Sequence, residues 1–401
     1  MTLPIQPTIN MGIVGHVDHG KTTLTKLLSG KWTDTHSEEK KRGITIKLGY
    51  TNFVIYSNKK DFSTKKKDGF EEIKKISIVD APGHEAFMAT MISGSAVMDC
   101  ALLVVAADEK CPQPQTIEHL KTLEIAGIKN IIIIQNKIDL VTKEEAIENF
   151  REIKNFLKTT FAKDAPIIPM SAEHGANLNV LLEFINKNFT EPKRDLNSTP
   201  RMTIVRSFDI NKPGDDFSKL KGGVLGGSIQ QGTVKIGEEI EIRPGIQLVK
   251  NGKVTYEPIF AKVESLHSDK DSLDEAGPGG SVAIMTKLDP KLTKMDSLVG
   301  QIAGPTGTLP EPKNEFSFTM NLLDKVVTST KEFDVKPIVL GEPLMMIVNS
   351  MTTVGMVSKA NPKQATIKLK KPVMGFEGDR AVIFRQIEPK KWRIIGFGEI
   401  L

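Results

Sequence analysis

The sequence predicts an α/β domain built on a mostly parallel, doubly wound sheet, followed by two β-barrel domains. Three observations carry this. Over the first half of the chain, short apolar β-rich runs alternate with helix-like stretches, the pattern of parallel strands joined by crossover helices. From residue 191 to 200 the chain turns polar, proline-bounded and unperiodic, as linkers do. Beyond it, short β-rich runs punctuated by Gly and Pro follow one another, the composition of small antiparallel barrels. A second change, at Pro310-Glu311-Pro312, divides them. The expected domains are 1–199, 200–310 and 311–401, in keeping with the two to three domains that a chain of 401 residues accommodates.

In order, residues 9–14 read as a buried strand and residues 23–28 as the opening of an amphipathic helix. Between them stands Gly15-His16-Val17-Asp18-His19-Gly20-Lys21-Thr22, the spacing of a phosphate-binding loop. Gly15 and Gly20 let the backbone turn its N–H groups inward on a polyphosphate, Lys21 supplies a point charge, and the Thr22 hydroxyl is placed for Mg2+. Residues 37–43 are charged and irregular and lead into a strand expected over 44–50. Thr45, at the edge of that strand, reads either as ordinary β-propensity or as a sensor. As a sensor its hydroxyl meets Mg2+ and its N–H the γ-phosphate. Residues 58–75 hold seven lysines against four acids without apolar periodicity and read as a solvated loop or a nucleic-acid contact.

The strand 76–79 delivers Asp80-Ala81-Pro82-Gly83-His84 at its carboxyl end, where a doubly wound sheet binds ligands. Asp80 can hold Mg2+ through water, Gly83 can offer its N–H to the γ-phosphate, and His84 can orient an attacking water. Strands at 101–106 and 131–134 follow. The second ends in Asn136-Lys137-Ile138-Asp139. A carboxylate at Asp139 accepts both N1–H and N2–H of guanine, a donor pair that adenine lacks, so GTP is preferred over ATP. Lys137 would lie along the base and Asn136 would tie this loop to the phosphate loop. Residues 167–170 lead into Ser171-Ala172-Glu173, whose N–H groups face the guanine O6. Helix-like stretches at 85–98, 116–126, 143–157 and 178–188 lie between. The barrels are expected from runs at 202–208, 223–229, 233–236, 239–242 and 281–285, then 345–348, 365–369, 381–384 and 392–397.

Composition sets the outer bounds. With 26% charged and 39% hydrophobic residues the chain has the make-up of a folded globular protein rather than a disordered one. Lys and Arg exceed Asp and Glu by 54 to 49, which permits a polyanionic partner without demanding one. No membrane-spanning apolar run and no export signal are apparent, and Cys100 and Cys111 form neither a CxxC pair nor a disulfide framework. A cytoplasmic protein is expected.

With these motifs in place the chain resembles the gamma subunits of archaeal and eukaryotic translation initiation factor 2, within the elongation factor Tu-like translational GTPases. Five motifs are common to that superfamily. The residues 42–50, Cys111-Pro112-Gln113-Pro114-Gln115-Thr116, 206–214, Leu220-Lys221-Gly222-Gly223-Val224 and 392–398 are closer to the gamma subunits themselves. The resemblance implies an α/β P-loop GTPase domain and a GTP-dependent carrier of initiator methionyl-tRNA to the small ribosomal subunit. It also implies alpha and beta partner subunits, factors for GTPase activation and nucleotide exchange, and no membrane. Carried over residue by residue, Asp18, His19, Gly20, Lys21, Thr22 and Thr23 wrap the phosphates of GTP or GDP. Thr22 and Thr45 ligate Mg2+, and Asn136, Lys137, Asp139, Ser171, Ala172 and Glu173 hold guanine. A second Mg2+ would involve Asp18 and the Gly43 backbone; Asp18 reads equally as a solvated loop acid. Tyr50 reads as a core strand residue or a tRNA stack. Relatives often carry a cysteine knuckle where this chain has its lysine-rich 58–75, so no structural zinc is expected. An elongation-type or selenocysteine-specific GTPase, the GTPase subunit of a metabolic complex, and a non-switching scaffold are the alternatives.

Overall fold

The computed structural model describes residues 6–33, 45, 47–84, 87–212, 214, 216, 220–327, 332–388 and 391–401. It divides into two compact units, Met1–Lys193 with Gly279–Ser281, and Arg194–Pro278 with Val282–Leu401.

The first unit is built on β1 (Ile9–Gly15), β2 (Gly49–Ser57), β3 (Phe62–Ser63), β4 (Glu71–Asp80), β5 (Cys100–Ala106), β6 (Ile131–Asn136) and β7 (Ile167–Pro169). Its helices are α1 (Lys21–Ser29), α2 (Met88–Ser95), α3 (Pro114–Ile125), α4 (Lys143–Leu157) and α5 (Leu178–Asn188). The sheet order is β3-β2-β4-β1-β5-β6-β7. β4, β1, β5, β6 and β7 run parallel, while β2 and β3 are antiparallel at one edge. Every residue of β1, β5 and β6 is buried, as central strands covered by crossover helices must be. On one face Ile9, Met11, Ile13, Ile132 and Ile134 pack with Leu24 and Leu28 of α1 and Leu181, Leu182 and Ile185 of α5. This core packs against the parallel strands, and the phosphate loop, residues 81–84, the 137–139 turn and residues 171–173 follow the carboxyl ends of β1, β4, β6 and β7, while Thr45 comes before the amino end of β2.

Boundaries moved where neighbours decide. The strand expected over 44–50 begins only at Gly49 and runs to Ser57, because β4 offers a partner along its whole length. Thr45 therefore lies before the strand, not on its edge. The 58–75 stretch is partly ordered by pairing, with β3 against β2 and β4 starting at Glu71. The helix expected over 85–98 spans only Met88–Ser95 among the described residues.

The second unit contains two seven-stranded antiparallel sheets. The first runs from Arg201–Phe208 to Ile302–Pro305, the second from Lys313–Thr319 to Lys391–Glu399. Each closes around its own apolar core, one including Ile204, Leu225, Ile242, Val263 and Ile284, the other Phe318, Leu344, Met346, Ile367 and Ile383. Of the long hairpin Glu239–Lys250 and Lys253–Ser268, only the opening run 239–242 is expected from sequence. The hairpin's exposed residues Val249, Val254 and Phe260 break the alternation that marks a half-buried strand. Sequence reading missed Met351–Ala360, in which polar and apolar residues are mixed.

Candidate nucleotide-binding site

The phosphate loop sits between β1 and α1 because its glycines accept backbone conformations that other residues resist. Gly15 has φ 141° and Gly20 φ 89°. A Cβ on Gly15 would lie 2.3 Å from the Val104 carbonyl oxygen, and one on Gly20 would lie 2.3 Å from Asn136 Nδ2. Asp18 is itself left-handed, at φ 58°. The loop encloses a cavity of about 200 Å3 lined by Asp18, Gly20, Lys21, Thr22, Thr23, Thr45, Gly83 and His84, together with Val17 and Trp32. Eight of the residues proposed from sequence thus meet in one hollow.

Within it Lys21 is buried, at 6% exposure, and its Nζ donates to the His16 carbonyl at 2.5 Å. A Cβ on Gly83 would fall 2.4 Å from that Nζ and 2.9 Å from the Gly15 carbonyl oxygen, so only a glycine brings this backbone up to the lysine. The Thr22 and Thr45 hydroxyls lie 3.2 Å apart. Adjacent ligands of an octahedral Mg2+, each at 2.0–2.1 Å, are separated by roughly 2.9 Å, so this pair fits the ion. Asp80 is fully buried and accepts the Thr33 hydroxyl at 2.6 Å; it does not line the cavity. Gly43, the other residue considered for a second metal, lies outside the described residues.

His19 departs from expectation. Its imidazole is fully buried beneath the loop and does not face the cavity. Its Nδ1 donates to the Val104 carbonyl at 3.1 Å, with Nε2 3.4 Å from Glu109. Only its backbone is left to meet phosphate. Burial holds this imidazole down at about 4, and burial lowers the neighbouring His16 as well. A third imidazole, His119 of α3, was not singled out from sequence. It is fully buried and its Nδ1 accepts the Gly15 N–H at 2.8 Å. Burial, then the nearby Lys21, push it down to about 3, so the ring is neutral with its proton on Nε2. That N–H has no acceptor among the described residues, an omission worth about 1–3 kcal/mol against folding.

At the other end Asn136 joins three segments. Its Nδ2 donates to the His19 carbonyl at 2.9 Å and its Oδ1 accepts the Ala172 N–H at 2.9 Å. The Ala172 N–H is therefore committed to Asn136 instead of being directed at a base oxygen. Lys137, left-handed at φ 64°, places its Nζ 3.1 Å from Asp108. Asp139 lies 3.6 Å from His174 Nε2. A hydrogen bond from Ser171 holds its carboxyl below the usual carboxylate range, so it presents an ionised acceptor. Ser171 also accepts the His174 N–H at 3.3 Å, and Glu173 is exposed. Tyr50 is half-buried on β2.

Residues 6–191 match the family model described as elongation factor Tu GTP binding domain, and residues 314–400 that described as initiation factor eIF2 gamma, C terminal. The chain is 52% identical to translation initiation factor 2 subunit gamma of Methanococcus vannielii, covering 99% of both chains. It is 50% identical to that of Methanothermobacter thermautotrophicus, over 98% of this chain and 99% of the relative. Among solved structures it is similar to a bacterial selenocysteine-specific elongation factor, with 25% identity and a TM-score of 0.76 over 98% of this chain and 58% of that one. It is also similar to elongation factor SelB of Methanococcus maripaludis in complex with the GTP analogue GPPNHP, with 25% identity and a TM-score of 0.74 over 99% and 80%. The barrels follow a GTPase domain in the order expected from sequence, and the twofold higher identity with the initiation factors disfavours an elongation-type reading: the chain belongs to the gamma-subunit family of translation initiation factor 2.

Proposed function

We propose that this GTPase holds GTP across the carboxyl ends of β1, β4, β6 and β7, and that it carries initiator methionyl-tRNA to the small ribosomal subunit while GTP is bound. The observation that carries the nucleotide reading is the single cavity in which Lys21, Thr22, Thr45, Gly83 and His84 meet. Loop N–H groups and the Lys21 ammonium bind the phosphates. Thr22 and Thr45 would hold Mg2+, with Asp80 behind Thr33 supplying negative charge nearby; bound there, the ion would supply positive charge to offset that of the phosphates. His84, exposed at the mouth, orients the attacking water, while Gly83 brings its N–H to the γ-phosphate. Asp139 selects guanine through two hydrogen bonds, Lys137 covers the base, and Asn136 couples the base segment to the phosphate loop. A second Mg2+ at Asp18 and Gly43 belongs to the same proposal.

Family membership supports this output. Alpha and beta subunits assemble on this chain, a GTPase-activating factor hastens hydrolysis, and an exchange factor restores GTP. Among the described residues no helix is long and apolar enough to cross a membrane; we place the work of the factor in the cytoplasm. The test is the affinity of initiator methionyl-tRNA for the purified chain, with and without alpha and beta partners, in GTP and in GDP at fixed salt. Tighter binding in GTP is expected, and its ratio to binding in GDP gives the coupling between nucleotide and tRNA. Equal binding in the two nucleotides, with partners present, would remove the carrier role.

A further inference from the structure

Gly15 is the last residue of β1 in register with β5, opposite Val104. There the ladder ends, and two imidazoles take over. His19 Nδ1 donates to the Val104 carbonyl, while His119 Nδ1 accepts the Gly15 N–H at 2.8 Å. The same Gly15 presents its carbonyl oxygen to Gly83, where an added Cβ would approach it to 2.9 Å. Gly15 is thus fixed on its N–H side by a side chain of α3, and on its carbonyl side it abuts the backbone proposed to meet the γ-phosphate. The N–H of His119 Nε2 is left without an acceptor among the described residues. An apolar side chain would spare the unpaired Nε2–H but would leave the buried Gly15 N–H without its acceptor, so the bond to Gly15 is what the histidine contributes.

We infer that His119 is a positioning residue: through its hydrogen bond to the Gly15 N–H, helix α3 sets the geometry of the phosphate loop and so the rate at which nucleotide leaves. A displacement of α3 that broke this bond would loosen the loop from beneath, without any group entering the cavity. This rests on the proposed nucleotide site. It assigns the control of exchange to a residue that touches neither nucleotide nor metal.

The experiment is release of a fluorescent GDP analogue from the full chain in Mg2+, chased with unlabelled GDP, for wild type, His119→Asn, His119→Phe and His119→Leu. The Asn Oδ1 takes the place of Nδ1 and keeps an acceptor, whereas Phe and Leu fill volume without one. Phe and Leu are expected to release nucleotide about ten-fold faster, the weight of one lost buried hydrogen bond. His119→Asn should stay within about two-fold of wild type. Melting temperatures without nucleotide separate this from damage to the fold. Phe or Leu releasing at the wild-type rate, or Asn releasing as fast as Phe, would overturn the inference while leaving the nucleotide site intact. A wild-type chain that fails to bind the analogue would overturn both.

Discussion

The two ends of the candidate site are held in opposite ways. At the phosphate end Lys21, His19 and His119 are all buried, and the hydrogen bonds that fix the loop come from residues about a hundred positions away in sequence. At the base end the side chains of Lys137 and Asp139 are each 25% exposed and sit on the short turn after β6, with Asp108, Ser171 and His174 as their partners. The first is built as part of the core; the second is a set of partly exposed hydrogen-bonding groups. Changes at the base end should therefore alter what is bound, and changes at the phosphate end should alter how tightly and how stably.

The largest effect expected from this contrast is at Asp139. Asp139→Asn replaces one acceptor with a donor, which clashes with the guanine N–H pair and complements the second carbonyl of xanthine. The ratio of GTP to XTP affinity should fall by about four orders of magnitude, with the thermal stability of the chain unchanged. Titration of both nucleotides measures it; a GTP preference that survives would place guanine recognition elsewhere. Next is Lys21→Ala, which removes a buried cation. GTP and XTP should both weaken by about a hundred-fold, without a change in base preference. A loss confined to one base would erase the division between the two ends.

The phosphate end was legible in one respect and hidden in another. Gly15, Gly20, Lys21 and Thr22 announce themselves because a polyphosphate needs those residue types at that spacing, whatever surrounds them. What lies beneath the loop does not. His119 sits mid-helix in α3, where nothing local separates a buried histidine from a surface one; its role appears only once β1 and α3 are packed. His19 belonged to the motif, yet which way its ring points is decided by Val104 on the neighbouring strand. At the base end Asp139 was readable from its chemistry, whereas the commitment of the Ala172 N–H to Asn136 is a matter of three-dimensional fit. In the barrels, runs such as 202–208 and 381–384 were visible from composition, while the hairpin at 239–268 showed only in its opening run 239–242, because its exposed apolar residues carry no period.

Acid should separate the two ends. His19 and His119 are held at about 4 and about 3, below the value of about 6.5 expected in an unfolded chain. Between pH 6.5 and 4 the unfolded state thus binds protons that the native state does not. Stability is fully present above 6.5 and falls as the pH drops, by up to about 1.4 kcal/mol per pH unit for each histidine. Asp139, lowered by Ser171, stays ionised throughout that window, and its contribution is lost only below the ordinary carboxylate range. The chain has two tryptophans, Trp32 and Trp392, so in a Trp392→Phe background Trp32 fluorescence reports on the first unit. Its urea midpoint should fall from pH 7 to 5, and less steeply in His119→Phe. Parallel slopes would mean that the buried ring is not kept neutral.

The smallest effect tests how local the base end is. α4 begins just after the Asp139 turn with a capping box: Thr142 Oγ1 accepts the Glu145 N–H, and the Glu145 carboxylate accepts the Thr142 N–H. The helix is fastened to the sheet further along, by Asn149. Its Oδ1 accepts from Gln135 of β6, and its Nδ2 donates to the Glu109 carbonyl beyond β5. Asn149 lies two helical turns beyond the cap, so fraying of the first turn should not reach it. Thr142→Ala is expected to cost about 1 kcal/mol of stability and to leave both GTP affinity and the GTP to XTP ratio as they are. If instead nucleotide affinity drops with the cap, the base end depends on the order of α4 as well as on the turn after β6 and its partners Asp108, Ser171 and His174.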